Sequence, residues 1–137
     1  MEVAAAEGAA PAMSGDGRFI TFSSTATNLP PGTGVLLVHD RDTDDDGVFD
    51  EPGAISTVSL ADGPGGGFFR SPLSDDGRYV AAIGSVSGIT TPLVIDRDPD
   101  VDGVYDEASP PNTLTSLPDG GGVWPSSIAI SADGQTV

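Results

Sequence analysis

The chain contains no cysteine and no lysine. Without cysteine there is no disulfide framework and no thiolate zinc site. Its five basic residues are all arginines (Arg18, Arg41, Arg70, Arg78 and Arg97), set against 21 acidic residues, for a formal net charge of −16. Phosphate recognition needs clustered positive charge, so no nucleic-acid partner is expected. Anionic membrane surfaces are disfavoured for the same reason. No apolar run approaches the roughly 20 residues that span a bilayer, so no membrane insertion is expected. The opening MEVAAAEGAAPAM lacks a basic start and a true apolar stretch, and it does not read as an intact signal peptide. Helical periodicity with caps is missing throughout. The Ala-rich stretch at 4–10 contains Gly8 and is followed by Pro11.

What the chain does have is concentrated negative charge. Residues 40–51 hold seven acids and residues 96–107 hold six, which is 13 of the 21. Carboxylates packed this closely repel one another unless a cation sits among them. A uniformly acidic surface would spread the same charge more evenly.

The chain is also repetitive. SGDGRFITF at 14–22 recurs as SDDGRYVAA at 74–82 and as SADGQTV at 131–137, at spacings of 60 and 57 residues. DRDTDDDGVFDE at 40–51 recurs as DRDPDVDGVYDE at 96–107, 56 residues later. The first copy is longer by four residues, which fall in the loop at 28–32. Each copy divides into four short strands. In the first copy these are residues 9–13, 18–23, 34–39 and 54–60. In the second they are 67–73, 78–84, 91–95 and 112–117. Gly15-Asp16-Gly17 is a hairpin signal between the first two strands. Arg18 to Phe22 alternates as a half-buried strand does, and Val35 to Val38 is continuously apolar, as in a strand buried on both faces.

Four strands in a period of 55–60 residues is the pattern of a propeller blade. Ser-x-Asp-Gly-Arg, followed by an aromatic and an aliphatic residue, resembles the TolB-like propeller repeat, which is related in shape to Trp-Asp-repeat blades. The resemblance covers residues 9–137. It implies an all-β fold of tandem four-stranded propeller-like blades, two plus a partial third. The first blade takes 1–66, the second 67–122 and the partial third, or a complementing strand, 123–137. A closed propeller uses four to eight blades. The expected particle is therefore completed by self-association or by further blades. One departure from the family is the long acidic loop after the third strand.

That loop has its own pattern. Asp42, Asp44 and Asp46 stand at positions 1, 3 and 5, Gly47 at 6, Val48 at 7 and Asp50 at 9. The second loop aligns Asp98, Asp100, Asp102, Gly103, Val104 and Asp106. Alternate carboxylates converge while the chain wraps around one centre, and glycine takes the sharp turn. Oxygen-only coordination selects Ca2+ over zinc or copper. The spacing resembles the first nine positions of an EF-hand loop, but Ala54 and Pro110 stand where that family has its bidentate Glu. The shortened form is more similar to type 3 thrombospondin repeats. Glu51 and Glu107 are candidates for the missing oxygens. Asp40 and Asp96 are candidates for a further ligand or a second ion, and the carbonyls of Val48 and Val104 for position 7. The side chains of Val48-Phe49 and Val104-Tyr105 are expected to anchor the loops on the blade. Abundant extracellular calcium makes a secreted setting, or a periplasmic or cell-surface one, the expected one.

Other constellations are weaker. His39 is the single histidine, its counterpart in the second copy is Ile95, and it reads as a strand-end residue rather than part of a triad. No catalytic residues and no enzyme activity are expected. The glycine runs at 63–67 and 120–122 lack the Lys and helix start of a phosphate loop and read as links. Phe68-Phe69 and Trp124 occupy matching inter-blade positions, and packing is the simpler role for them. Two functions follow. The first is a calcium-stabilised structural module that self-associates into a homo-oligomer or filament through incomplete blades. The alternative is a glycan- or protein-binding fragment of a larger secreted propeller, with Phe68 or Trp124 exposed beside the metal.

Overall fold

The computed structural model describes residues 11–24, 35–61, 71–86, 89–109, 111–117 and 127–137. Within them the chain is all-β. The strands are β1 (Ala12–Met13), β2 (Phe19–Ser24), β3 (Val35–Asp40), β4 (Ser56–Ala61), β5 (Tyr79–Val86), β6 (Ile89–Asp96) and β7 (Thr113–Ser116). Antiparallel pairing in the order β1-β2-β3-β4 makes one sheet, and β5-β6-β7 makes a second. The two sheets do not close a ring. No helix among the described residues is long and apolar enough to cross a membrane.

The strands lie where the alternation and the turn residues put them. Ser14 and Gly17 close the first hairpin through a Gly17 N–H to Ser14 carbonyl bond of 3.0 Å. The Ser14 hydroxyl donates to Asp16 Oδ1 at 2.5 Å and accepts from the Phe19 amide at 2.9 Å. Ser74, Asp76 and Tyr79 repeat this arrangement, and so do Ser131, Asp133 and Thr136. The side chains of Ser and Asp thus satisfy turn amides that would otherwise need water. Strand 9–13 of the sequence reading survives as β1, with residues 9–10 outside the described set. Of its counterpart at 67–73 in the second repeat, residues 67–70 lie outside the described set, and Leu73 bridges Val80 in the same register as Met13 and Ile20. The third repeat forms its turn, and residues 127–137 carry no strand. The extra loop at 28–32, together with Phe68, Phe69 and Trp124, lies outside the described residues.

Leu36, Leu37 and Val38 are all buried, as a continuously apolar strand requires. The core joins the two sheets. Phe19, Leu36, Val38 and Leu60 from the first pack with Leu73, Val80, Ala82, Leu93 and Ile95 from the second. Register explains which residues take part. Phe19 pairs with Asp40 and Thr21 with Val38, so these four share the face turned to the second sheet. Thr21 is fully buried there, and its hydroxyl donates to the Ser71 carbonyl.

The turns stack on one another. The Asp16 amide reaches the Asp75 carbonyl at 3.4 Å, and the Asp75 amide reaches the Ala132 carbonyl at 2.9 Å. Phe19 lies so close over Gly77 that a Cβ there would overlap its ring, and Tyr79 covers Gly134 in the same way. Each repeat therefore seats its aromatic residue on the turn glycine of the next.

Gly77 has φ +74° and Gly103 has φ +88°, but no atom lies within 4 Å of a Cβ built on Gly103. Gly103→Ala is expected to carry only the backbone term of about 1–2 kcal/mol. Gly77→Ala adds an overpacking cost of roughly 1–3 kcal/mol. Urea denaturation of both variants checks the order, and equal losses would contradict the stacking.

Candidate metal centre

Each acidic loop leaves the end of its sheet's third-strand position, β3 or β6, with an arginine at its base. The Arg41 amide bonds the Arg18 carbonyl at 3.1 Å, and the Arg97 amide bonds the Arg78 carbonyl at 3.1 Å. The loop then closes on itself. The Asp50 amide reaches the Arg41 carbonyl at 2.8 Å, and the Asp106 amide reaches the Arg97 carbonyl at 2.9 Å. Gly47 and Gly103 take φ of +86° and +88° at the turn the sequence pattern assigns to them.

Asp42 and Asp98 organise the loop interiors. They are 2% and 4% exposed. Asp42 Oδ1 accepts the Asp46 amide at 3.1 Å and Oδ2 the Gly47 amide at 2.9 Å. Asp98 accepts from Asp102 and Gly103 at 3.0 and 3.1 Å. Burial pushes the Asp42 carboxyl up, but the Gly47 and Asp46 amides outweigh it and hold the group below its ordinary value. The wrap brings Asp42, Asp44 and Asp46 together, each offering an oxygen within 4.8 Å of the others, and it does the same for Asp98, Asp100 and Asp102. Each cluster could hold a metal ion, with one buried and two exposed carboxylates.

The triads are electrostatically stressed. Asp44 is raised above the usual carboxylate range, first by loss of solvent and then by the charge of Asp46. Glu107 is also raised, first by loss of solvent and then by Asp102, Asp100 and Asp98. This places the Glu107 carboxyl within the field of the second triad. A divalent cation would relieve both.

Four of the other candidate ligands, Asp40, Asp50, Asp96 and Asp106, are bonded to arginines. Asp40 receives Arg18 Nε at 2.9 Å and Nη2 at 3.0 Å. Asp96 receives Arg78 Nε and Nη2, each at 2.8 Å. Asp50 is held by Arg41 and Asp106 by Arg97 at the loop bases. Asp40 and Asp96 also accept the amides of Asp42 and Asp98. These four carboxylates brace the loops through planar, two-pronged guanidinium contacts. Glu51 is partly exposed at the end of its loop.

The anchoring role expected of the Val-aromatic pairs is corrected in part. Val48 and Val104 are 50% and 52% exposed, because the turn at glycine points them outward. Their backbone amides donate to Asp46 Oδ1 and Asp102 Oδ1, at 2.8 Å in both loops. Phe49 is 37% exposed, with the Arg41 guanidinium 4.8 Å from its ring centre. Tyr105 does anchor its loop. Its ring centre is 5.2 Å from that of Phe19, and its hydroxyl donates to the Asp76 carbonyl. His39 sits at the end of β3 with Nδ1 2.8 Å from Thr57 Oγ1.

The arginine braces were missed from sequence, although their signal was there: Arg18 and Arg78, and Arg41 and Arg97, recur at the same offsets as the acids. A cleft of about 330 Å3 opens between the loops, with Arg18, Asp40, Asp45, Arg97, Tyr105 and Asp106 among its walls. In the first loop Arg18 also reaches Asp45 at 2.6 Å, and in the second Val101 replaces that acid.

Asp45 and Val101 both sit at positive φ, +58° and +63°. For a β-branched residue this is strained, and Asn tolerates it. Val101→Asn is expected to raise stability by about 1 kcal/mol, read from the denaturation midpoint. A loss of stability would contradict the loop geometry.

The Arg78 hydrogen bond holds Asp96 below its ordinary value against the opposing effect of burial. A carboxylate depressed on folding adds stability that is complete above its unfolded value and is lost as pH falls through the folded one. That loss is expected below about pH 4. Asp96→Asn should be less stable at pH 7 and should show a flatter acid limb in thermal melts. An acid limb as steep as the wild type would refute the pairing. Comparison with family models, with curated proteins and with solved structures found no match for the chain.

Proposed function

We propose that this chain is a calcium-stabilised structural module of an extracellular assembly, built from propeller-like blades of the TolB-like kind. The observation that carries the reading is the duplication of one loop. Both copies place three convergent carboxylates, a positive-φ glycine and a buried first aspartate in the same arrangement. A solvated acidic hairpin has no need to repeat that geometry. Hard oxygen donors and a flexible, partly exposed site suit Ca2+, and loose wrapping suits it better than Mg2+. The ion would tie long loops to short sheets and so add its binding free energy to folding. The outer oxygens would come from Glu51 or Glu107, from the carbonyls of Val48 and Val104, and from water.

Structural use follows from the stacked repeats. Two sheets and a third turn form a segment of a series, with each aromatic seated on the following turn. Such a series is completed by more of the same units, in a homo-oligomer or filament. No catalytic role is proposed for any residue.

Calorimetric titration is expected to count two calcium ions per chain. Saturation at 100 times the dissociation constant should add about 2.7 kcal/mol per site. Asp44→Asn should remove one site and Asp100→Asn the other, while Mg2+ binds more weakly. A melt unchanged by excess chelator, with no heat of binding, would end the calcium reading. Light scattering in calcium tests the assembly: a particle that stays at the mass of one chain at every concentration counts against it.

A further inference from the structure

The junction between the first and second repeats is a template for a face of the first repeat on which, among the described residues, no turn aromatic of another repeat sits. At the junction, Phe19 sits on Gly77. The Arg97 guanidinium lies 4.4 Å from its ring centre, and Tyr105 flanks it at 5.2 Å. Arg97 also donates to the Gly77 carbonyl at 2.6 Å and to Asp106. The first repeat builds the same parts, and among the described residues they carry no turn aromatic from another repeat; the nearest atom to a Cβ built on Gly17 is Phe49 Cε2, at 3.6 Å. Arg41 donates to the Gly17 carbonyl at 2.9 Å and to Asp50, and Phe49 stands where Tyr105 does. The Arg97 side chain is 1% exposed and Asp106 10%, whereas Arg41 is 23% exposed and Asp50 54%.

Strand register extends the correspondence. Val80 and Ile95 pair on the face of the second sheet turned to the first, and their counterparts Ile20 and His39 pair on the far face of the first. Val80 and Ile95 are fully buried, while Ile20 and His39 are only partly so.

We propose that the face formed by Gly17, Arg41 and Phe49 is a socket for the aromatic residue of a Ser-x-Asp-Gly-Arg-aromatic turn on a further repeat. The guanidinium of Arg41 presents a cation to the ring, and the glycine leaves room for it. The inference rests on reading the chain as a segment of a stacked series, and it names the chemistry of the next unit. The chain's own third turn is a poor fit, because Gln135 and Thr136 stand where the other turns have Arg and an aromatic residue. Thr136 is exposed and free to be changed.

The test gives that turn the missing residues. Gln135→Arg with Thr136→Tyr in the full chain should make it a matching key for the socket of a second molecule. Sedimentation velocity in calcium should show association at least tenfold tighter than that of the wild type. Adding Arg41→Lys, which keeps the charge and loses the planar stack, should return it to the wild-type level. Should that variant fail to fold by circular dichroism, Phe49→Ser takes its place. Association that matches the wild type, or that survives both socket substitutions, would overturn the proposal. Calcium binding by calorimetry on the same samples separates the two readings: two ions bound without added association rejects the socket and leaves the calcium module standing.

Discussion

Among the described residues, one buried cation, Arg97, joins the two sheets. The Arg97 guanidinium spends two of its nitrogens on Asp106 and so closes the second acidic loop. A third nitrogen bonds the carbonyl of the Gly77 turn. Its flat face lies against Phe19 from one repeat and Tyr105 from the other. Burying an arginine is costly unless its charge is paired and its donors are used, and leaving one partner out costs roughly 3–5 kcal/mol. Loop, turn and neighbouring sheet are therefore held to one geometry. Lysine could not replace it, because a point charge has neither the fork nor the face.

The acids divide by what faces them. Asp40, Asp50, Asp96 and Asp106 meet guanidinium groups and act as internal braces. Asp42, Asp44 and Asp46, with Asp98, Asp100 and Asp102, meet one another. A loop left to itself would separate those charges. Here the braces and the amide bonds to Asp42 and Asp98 hold them near, with Asp44 and Glu107 raised first by loss of solvent and then by the neighbouring carboxylates. Preorganised repulsion of this kind is what a cation reads as a site, because the cost of gathering the ligands has been met by folding.

The same economy appears between repeats. Short strands and a chain rich in Gly and Pro leave little apolar surface in each unit, so a single sheet cannot bury its own face. Stacking one ring on the next glycine solves this with two residues per repeat. It also makes the junction specific, since a Cβ at Gly77 or Gly134 would collide with the ring.

Periodicity and turn chemistry are local, and they alone determined the strands, the hairpins, the equivalence of the two loops and the gathering of the two Asp-x-Asp-x-Asp triads. Alternation sets which face a residue takes, and Asp-Gly sets where the chain reverses, whatever lies beyond. Partner choice is not local. Only the tertiary structure decided that Asp40 and Asp96 serve Arg18 and Arg78, that Val48 and Val104 point outward while Tyr105 packs inward, and that Phe19 rests on Gly77. The arginine pairings, the inward packing of Tyr105 and the seat of Phe19 depend on groups 18 to 86 positions apart meeting in space, and sequence spacing carries no information about which of several nearby carboxylates a guanidinium will reach first.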